Sequence, residues 1–343
     1  MNDLTEKYQK AMELLAANRL EESADILLKL QKVKSMAPFC QYRLAAISNI
    51  TGDPETAYNL YYKAFRAKPD IAKYLFQETH SGHSYVFKSK KPEKEREDCP
   101  LCGNRGVPYW CYSMIEASNH NPSINPIRLW MYCKECHHLF AKDFPEKIFM
   151  HNTNPRKANP VYFNYYSKIL EVIRKYTAGM SLFEVGVGAS ECLLAAREIG
   201  YDPLLGIDVI ERHVEDAIKL YGLKAETADF NEYQSEHKWD VIIMGDVLEH
   251  VDDPVAAIQK AESLLSDEGA LWVSTPNFES AHTIVVGHDD VMRKQQYHLN
   301  YFSRESLYSL LGRFGLVPVE YQISGHYGGS MEVIAIKESR LKE

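Results

Sequence analysis

Residues 183–190 read FEVGVGAS and close a short apolar run that is typical of a buried strand. Gly186 and Gly188 allow a tight turn and a close approach of a ligand to the backbone, and a helical pattern begins directly after them. Asp208 ends the next strand, 20 residues after Gly188. An acid at that place meets ribose hydroxyls in nucleotide-binding βαβ units. The stretch therefore predicts a strand, a glycine turn and a helix that together bind a nucleoside.

Strand and helix signals alternate from this stretch to the end of the chain, which predicts a parallel sheet with helices on both faces. The strand signals before residue 280 lie at 181–185, 203–210, 224–228, 239–244 and 270–275. The helical signals between them lie at 190–199, 211–221 and 254–265. Two later strands, 316–323 and 331–337, are close in sequence and are expected to form an antiparallel hairpin.

The glycine turn departs from the dinucleotide-binding pattern at one position. That pattern has a third glycine three residues after the second, and Glu191 stands there in this chain. S-adenosylmethionine (SAM) has no pyrophosphate and needs less of that tight cradle. The departure therefore favours SAM over a nicotinamide dinucleotide.

Several further segments, in order along the chain, resemble the motifs of class I SAM-dependent methyltransferases. They are Glu184-x-Gly186-x-Gly188, Gly206-Ile207-Asp208, Ala228-Asp229-Phe230, DVLEHVDDP at 246–254, STPN at 274–277 and HLNYFS at 298–303. The resemblance covers most of residues 165–340. It implies an α/β fold with a Rossmann-like, doubly wound, mostly parallel seven-stranded sheet.

The same resemblance assigns cofactor-binding roles by position. It places Glu184, Gly186 and Gly188 around the methionine part of SAM, Asp208 at the ribose, Asp229 and Phe230 at the adenine, and Asp246 near the sulfonium. Each carboxylate has a purely structural alternative, because an acid at a strand end often only caps the next helix. We expect that capping role for Asp253, which precedes Pro254.

The candidate catalytic residues are His250 and His298. A hydroxyl or carbon-acid acceptor must lose a proton during methyl transfer, and histidine titrates near neutrality. His298 is slightly favoured because it lies in an insertion that could close over the acceptor; for each histidine the alternative is a structural hydrogen bond. Some enzymes of this resemblance bind a divalent ion through a Glu-His pair, so Asp246, Glu249 and His250 form an alternative metal site.

Four of the seven cysteines form two CxxC pairs, Cys99/Cys102 and Cys133/Cys136. Four thiolates complete the tetrahedral coordination of zinc and leave no position for water, which predicts a structural zinc site. The alternative ligands are His137, His138 and Cys111, and the alternative without metal is four free thiols in a small core.

The first 75 residues have helical spacing in four runs. Ala24 and Ala57 are 33 residues apart, as are Leu27 and Leu60, which is close to the period of tetratricopeptide (TPR) repeats. The alternative is a plain four-helix cap on the rest of the protein. We therefore predict three parts: a TPR-like helical domain (1–80), a zinc-binding module (81–150) and the methyltransferase domain (151–343).

The composition narrows the partners and the compartment. A formal net charge of −8 argues against a large nucleic-acid interface. The chain has no apolar run of 18 residues, and its N-terminus lacks the apolar core of a signal peptide, so the prediction is a cytoplasmic enzyme without a membrane span.

The sequence thus predicts methyl transfer from SAM by in-line displacement to a small-molecule acceptor. The layout resembles bacterial enzymes with a four-cysteine zinc module ahead of a methyltransferase domain, many of which modify sugars or surface-glycan precursors, and that class is the expected acceptor. The alternatives are a protein docked by the N-terminal helices, a nucleic acid recognised by the zinc module, or a scaffold that binds SAM without turnover.

Overall fold

The computed structural model describes residues 3–88, 94–116, 124–145, 157–324 and 328–342. Among these residues, no helix combines the length and the apolar character that crossing a membrane requires.

The N-terminal part consists of consecutive helices, as the apolar spacing predicts. Asp53 caps the fourth helix by accepting a hydrogen bond from the backbone N–H of Thr56 at 3.0 Å, and Pro54 occupies its first turn, where no intrahelical N–H is needed. The TPR-like character of these helices stays a prediction. The bounds are α1 Asp3–Ala16, α2 Leu20–Leu30, α3 Ala37–Ile50, α4 Pro54–Ala67 and the short α5 Ala72–Leu75.

The cysteine-rich part contains a four-stranded antiparallel sheet, which we call the cysteine sheet. The strand order in this sheet is β11-β4-β3-β2. The strands β1 and β5 form a separate two-stranded antiparallel ribbon. The fourth strand, β11, comes from the predicted methyltransferase domain and begins two residues after His298. The bounds are β1 Lys94–Glu95, β2 Val107–Ser113, β3 Ile127–Cys133, β4 His138–Ala141, β5 Asp143–Phe144 and β11 Asn300–Phe302.

The methyltransferase part contains the seven-stranded sheet that the resemblance implies, in the order β12-β13-β10-β9-β6-β7-β8. The strands β10, β9, β6, β7 and β8 are parallel to one another, and β13 is antiparallel to both β10 and β12. The Rossmann-like fold and the terminal hairpin are therefore confirmed. The strand bounds are β6 Leu182–Val185, β7 Leu204–Asp208, β8 Ala225–Thr227, β9 Trp239–Gly245, β10 Leu265–Thr275, β12 Leu316–Ile323 and β13 Met331–Lys337.

Helices cover both faces of this sheet. Val241 and Ile243 of β9 pack with α6, α7 and α8, whereas Ile242 and Met244 pack with α9 and α11. The alternation follows from the period of two along a strand. The bounds are α6 Pro160–Ile173, α7 Glu191–Ile199, α8 Glu211–Tyr221, α9 Pro254–Leu264, α10 Ala281–Val286 and α11 Arg304–Gly312.

The three predicted parts share one buried apolar cluster. It runs from Tyr42 and Phe65 of the N-terminal helices through Leu129 of the cysteine sheet to Phe302 of β11 and Met244 of β9. Polar contacts reinforce the junction, since the Asn49 side chain accepts a hydrogen bond from the backbone N–H of Cys111 at 3.0 Å and also donates to its carbonyl. One face of α3 and α4 is therefore occupied by the cysteine sheet.

Candidate functional site

The glycine turn after β6 has the backbone conformation that its sequence suggests. Gly186 and Gly188 have φ values of 82° and 52°, in the left-handed region that glycine adopts most easily. A Cβ at Gly186 would lie 3.3 Å from the Val247 side chain, whereas one at Gly188 would meet no atom closer than 3.9 Å. The turn thus leaves open space beside a tightly curved backbone at the carboxyl end of β6, where ligands bind in sheets of this kind.

Asp208 at the end of β7 fixes this turn. Its carboxylate accepts hydrogen bonds from the backbone N–H groups of Gly188 at 3.0 Å and Ile210 at 2.8 Å, and it lies 3.0 Å from Nδ1 of His213. A carboxylate offers about four acceptor sites, so these three contacts leave about one for a ligand hydroxyl. The structural alternative and the ribose role are therefore compatible in this residue.

Glu184 lies beneath the turn and is 4% exposed. Its Oε2 has no hydrogen-bond partner among the described residues. Burial raises the pKa of Glu184 well above its ordinary value. A cationic ligand group nearby would stabilise the ionised form, so the residue fits a site for the ammonium of SAM.

Asp229 and Phe230 differ sharply in exposure. The Asp229 side chain is exposed and accepts a hydrogen bond from the Asn231 backbone N–H at 2.9 Å. Phe230 is 4% exposed, and its ring centroid lies 6.2 Å from that of Phe183 in the core. Its ring therefore packs in the core, and its place at the adenine stays a prediction.

Asp246 begins the loop after β9 with a positive φ of 54°. Its backbone N–H donates to the Ser274 carbonyl at 3.0 Å, and its Oδ1 accepts from the Ser274 hydroxyl at 3.2 Å. Burial, together with the nearby charge of Glu332, raises the pKa of Asp246 to about 7. The loop ends in the capping contact that the sequence predicts, because Asp253 accepts from the Ala256 N–H at 2.9 Å.

His250 and His298 lie together, with ring centroids 4.8 Å apart. His250 Nδ1 lies 2.9 Å from the Tyr297 carbonyl oxygen, so that nitrogen carries the proton and donates, and Nε2 is left in the acceptor form. Burial lowers the pKa of both histidines, and His250 contributes to the larger decrease at His298. Both rings are therefore neutral at pH 7.

Glu249 completes a cluster with the two histidines, since their ligand atoms lie within 4.8 Å of one another. Glu249 is 1% exposed, accepts a hydrogen bond from the Thr275 hydroxyl at 2.9 Å, and has a pKa raised well above its ordinary value by burial. The sequence suggested Asp246 as the third ligand beside Glu249 and His250. The structure instead groups His298 with them, and no local pattern signals that contact across 48 intervening positions.

The four cysteines of the CxxC pairs also come together. The Sγ atoms of Cys99 and Cys136 are 3.4 Å apart, those of Cys102 and Cys133 are 3.5 Å apart, and all four lie within 4.8 Å of one another. Sulfurs at about 2.3 Å from a tetrahedral zinc are separated by about 3.8 Å. The donor set and its spacing therefore fit a structural zinc ion.

The alternative zinc ligands have other partners. Cys111 lies in β2 beside Asn49, His137 Nδ1 lies 3.0 Å from the Tyr132 hydroxyl, and His138 Nε2 lies 3.3 Å from Asn300 Oδ1. Hydrogen bonds from Cys136 and from backbone N–H groups lower the pKa of Cys99, and the same contact between the two thiols raises the pKa of Cys136.

Comparisons with known proteins agree with this geometry. The family described as "Methyltransferase domain" matches residues 113–321, which is more than half of the chain. The ubiquinone biosynthesis O-methyltransferase of Glaesserella parasuis is 28% identical over 125 residues, covering 36% of this chain and 49% of that protein. The protein of the same name from Cereibacter sphaeroides strain ATCC 17029 is 30% identical over 154 residues, covering 41% and 62%. The chain thus spans about half of the length of these curated relatives.

Solved structures with a similar fold are more distant in sequence. DesVI from Streptomyces venezuelae is 15% identical, with a TM-score of 0.44 over 51% of this chain and 92% of that one. Magnesium protoporphyrin IX methyltransferase from Synechocystis, with bound S-adenosylhomocysteine, is 17% identical, with a TM-score of 0.43 over 53% and 89%.

Proposed function

The chain belongs to the methyltransferase-domain family that matches residues 113–321 and is a SAM-dependent methyltransferase, and from that premise we propose that it methylates a hydroxyl group of a small molecule. The observation that carries this proposal is the pair of neutral imidazoles at the carboxyl end of the central sheet, His250 and His298. A neutral imidazole can take the proton that a hydroxyl acceptor releases. An acceptor without such a proton would not need this pair.

The cofactor side of the site is supported by the geometry of the glycine turn. We assign the ribose hydroxyls to Asp208, the adenine edge to Asp229, and the ammonium of the methionine part to Glu184, beside Gly186 and Gly188. When bound, SAM supplies an electrophilic methyl group on a sulfonium. Asp246 is the carboxylate of the loop after β9, and its negative charge would favour that sulfonium.

On the acceptor side, His250 is the better base. Its Nδ1–H is held by the Tyr297 carbonyl, so Nε2 is oriented to accept a proton from a hydroxyl. His298 is only 7% exposed, which argues against the direct acceptor contact that its place in the insertion suggested. We therefore infer that His250 accepts the proton and that His298 supports its ring.

The proposed acceptor class depends on the proton that the base must remove. A neutral imidazole removes a proton more readily from an acidic hydroxyl than from an alcohol. A phenolic hydroxyl is therefore favoured over the sugar hydroxyl that the module order suggested. The names of the curated relatives, ubiquinone biosynthesis O-methyltransferases, are in line with an O-linked methyl group.

A divalent cation at Glu249, His250 and His298 is a second candidate for the acceptor side. The three ligand atoms lie within 4.8 Å of one another, and two imidazoles with one carboxylate suit Zn²⁺, Mn²⁺ or Fe²⁺. An ion held there would polarise an acceptor hydroxyl and take over the role of the base. Metal content separates the two mechanisms, because only the cation-dependent one requires a second metal ion per chain in addition to a zinc ion at the four cysteines, and only that second ion is lost in Glu249→Gln.

A panel of acceptors tests the proposal directly. Purified protein is supplied with SAM and with phenols, catechols, sugar nucleotides, amines and peptides, and product formation is followed by mass spectrometry. We expect O-methylation with the largest kcat/KM for a phenolic compound. A sugar product would restore the acceptor class that the sequence suggested, whereas methylation only of amines or of protein would overturn the proposal.

Replacing Asp208 with Ala is expected to weaken SAM binding by about ten- to a hundredfold. The change removes an acceptor for a ribose hydroxyl and releases the Gly188 N–H, and a lost hydrogen bond to a charged group costs about 1.5–3 kcal/mol. Calorimetric titration with SAM is the measurement. Glu215→Gln is the control, because that carboxylate lies on α8 and pairs with the exposed Lys219. Equal affinities in the two variants would show that the ribose site lies elsewhere.

A further inference from the structure

Arg128 of β3 is a buried cation whose side chain contacts the insertion, the segment before β11 that includes His298. It is 2% exposed, and its guanidinium donates to the backbone carbonyls of His298 and of Gln296, the latter at 2.8 Å. In the same strand, Nε1 of Trp130 donates to the Arg293 carbonyl at 3.0 Å. A buried guanidinium is costly unless its donors are satisfied, and the contacts found here fix the backbone on both sides of Tyr297.

Arg96 makes the corresponding contacts with the loop of His250. Its guanidinium donates to the carbonyls of Asp252 at 3.0 Å and Leu299 at 2.8 Å, while its Nε donates to Ala141 in the cysteine sheet at 3.0 Å. Asn300 extends this link, because its Nδ2 donates to the Val251 carbonyl at 2.6 Å. One arginine therefore ties together the cysteine sheet, the loop after β9 and the residue that follows His298.

These contacts connect the cysteine cluster to the histidine pair through a short path. Cys133 lies opposite His138 at the start of β4, and His138 is paired with Phe302 of β11. The Ser303 hydroxyl also donates to the His137 carbonyl at 2.7 Å. The side-chain hydrogen bonds of Arg96 and Arg128 to other described residues go to the cysteine sheet, the insertion or the loop after β9. The glycine turn, which follows β6, lies outside this path.

We propose that Arg128 and Arg96 are positioning residues, through which the cysteine sheet holds His298 and the loop of His250 in the geometry for methyl transfer. The inference rests on the proposed function of the histidines. The four cysteines then have a role beyond local folding, because they stabilise the sheet that holds the backbone of His298 and of the loop after β9. The proposal accordingly separates turnover from SAM binding, which depends on β6 and β7.

Arg128→Met tests this with two independent readouts. Hydrogen exchange in residues 294–302 is expected to become faster, while exchange in residues 182–210 stays unchanged. For an acceptor that the enzyme methylates, kcat is expected to fall by about ten- to a hundredfold at saturating SAM, because a small misplacement of a catalytic group costs rates of that order. SAM affinity is expected to stay within about twofold. Arg128→Lys, which keeps a cation and three donors, should recover part of kcat.

Arg340→Met is the matched control, since Arg340 also donates to backbone carbonyls, those of Tyr176 and Gly269, at the opposite end of the central sheet. Unchanged exchange in residues 294–302 of Arg128→Met, or faster exchange spread equally over residues 182–210, would overturn the proposal. If Arg128→Met does not fold, the same exchange comparison in Arg128→Lys decides the question. Faster local exchange with unaltered kcat would also overturn the proposal. His250→Gln distinguishes this from failure of the proposed function, because that variant keeps its turnover only if the histidine is not the base.

Discussion

Cys133→Ser is expected to lower the zinc content of the protein, to unfold the cysteine sheet and to stop turnover. Structural zinc contributes apparent binding free energies of about 10–16 kcal/mol in zinc-finger peptides, which exceeds the total stability of most small domains. Cys133→Ser removes one of four ligands and lies at the end of β3, opposite His138. We expect one zinc ion per wild-type chain, less than one in the variant, and a large decrease in melting temperature.

Cys133→Ser is also expected to affect the active site, because β11 belongs to the cysteine sheet and lies next to His298 in the chain. The sequence suggested a zinc-binding module (81–150) separate from the methyltransferase domain (151–343). Because β11 pairs with β4 and directly follows the insertion, we expect turnover to be lost while SAM affinity changes only a few-fold. Metal analysis, thermal melting and SAM calorimetry are the measurements. Cys111→Ser is the control, because this thiol is buried in the same sheet but lies outside the cluster. A metal-free protein with a normal melting temperature would contradict the account.

Replacing His250 with Gln is expected to lower kcat by about 10²–10⁴-fold while SAM affinity stays nearly constant. That range is the typical contribution of a general base, and glutamine keeps a hydrogen-bond donor towards the Tyr297 carbonyl without offering a basic nitrogen. The same change at His298 should have a smaller effect, because that ring supports His250. His237→Gln is the control, since His237 packs on Trp239, at the other end of β9 from the loop.

The pH dependence of the rate follows from the direction of the pKa shift. At saturating SAM, the positive charge of the sulfonium lowers the pKa of Asp246 and keeps that carboxylate ionised at neutral pH. Burial lowers the pKa of His250, and the base must be unprotonated, so under these conditions the rate falls only as the pH drops through that lowered pKa. The acid limb therefore lies below pH 6.5, the ordinary value for histidine. It should vanish in His250→Gln. An acid limb centred above that value, or one that persists in the variant, would show that another group is the base.

Most of the fold could be predicted from local sequence patterns. The strands and helices of the central sheet were predictable because each has its own apolar period and its own end signals, such as Asp253 before Pro254. The grouping of Cys99, Cys102, Cys133 and Cys136 was predictable because each CxxC turn fixes one pair and a tetrahedral ion needs two. These features depend on residues that are close together in the chain.

The features that were not predictable depend on pairing between distant segments. β11 has three residues and pairs with β4, which lies far earlier in the chain. A strand this short shows no apolar periodicity by which the sequence could reveal it. The position of β11 places His298 beside Glu249 and allows Arg128 to contact the insertion. Phe230 was assigned to the adenine by its place beside Asp229, and its burial follows from packing against Phe183, which a motif does not encode.

The most direct test of the central claim uses SAM with a deuterated methyl group and a small-molecule extract. The wild-type protein is predicted to place the labelled methyl on the oxygen of a small molecule, at a rate far above that of Asp208→Ala and of His250→Gln. Glu215→Gln should label as well as wild type. If the wild-type protein binds SAM but transfers label to no molecule, or if all four proteins label equally, the account of this site as a methyltransferase centre is contradicted.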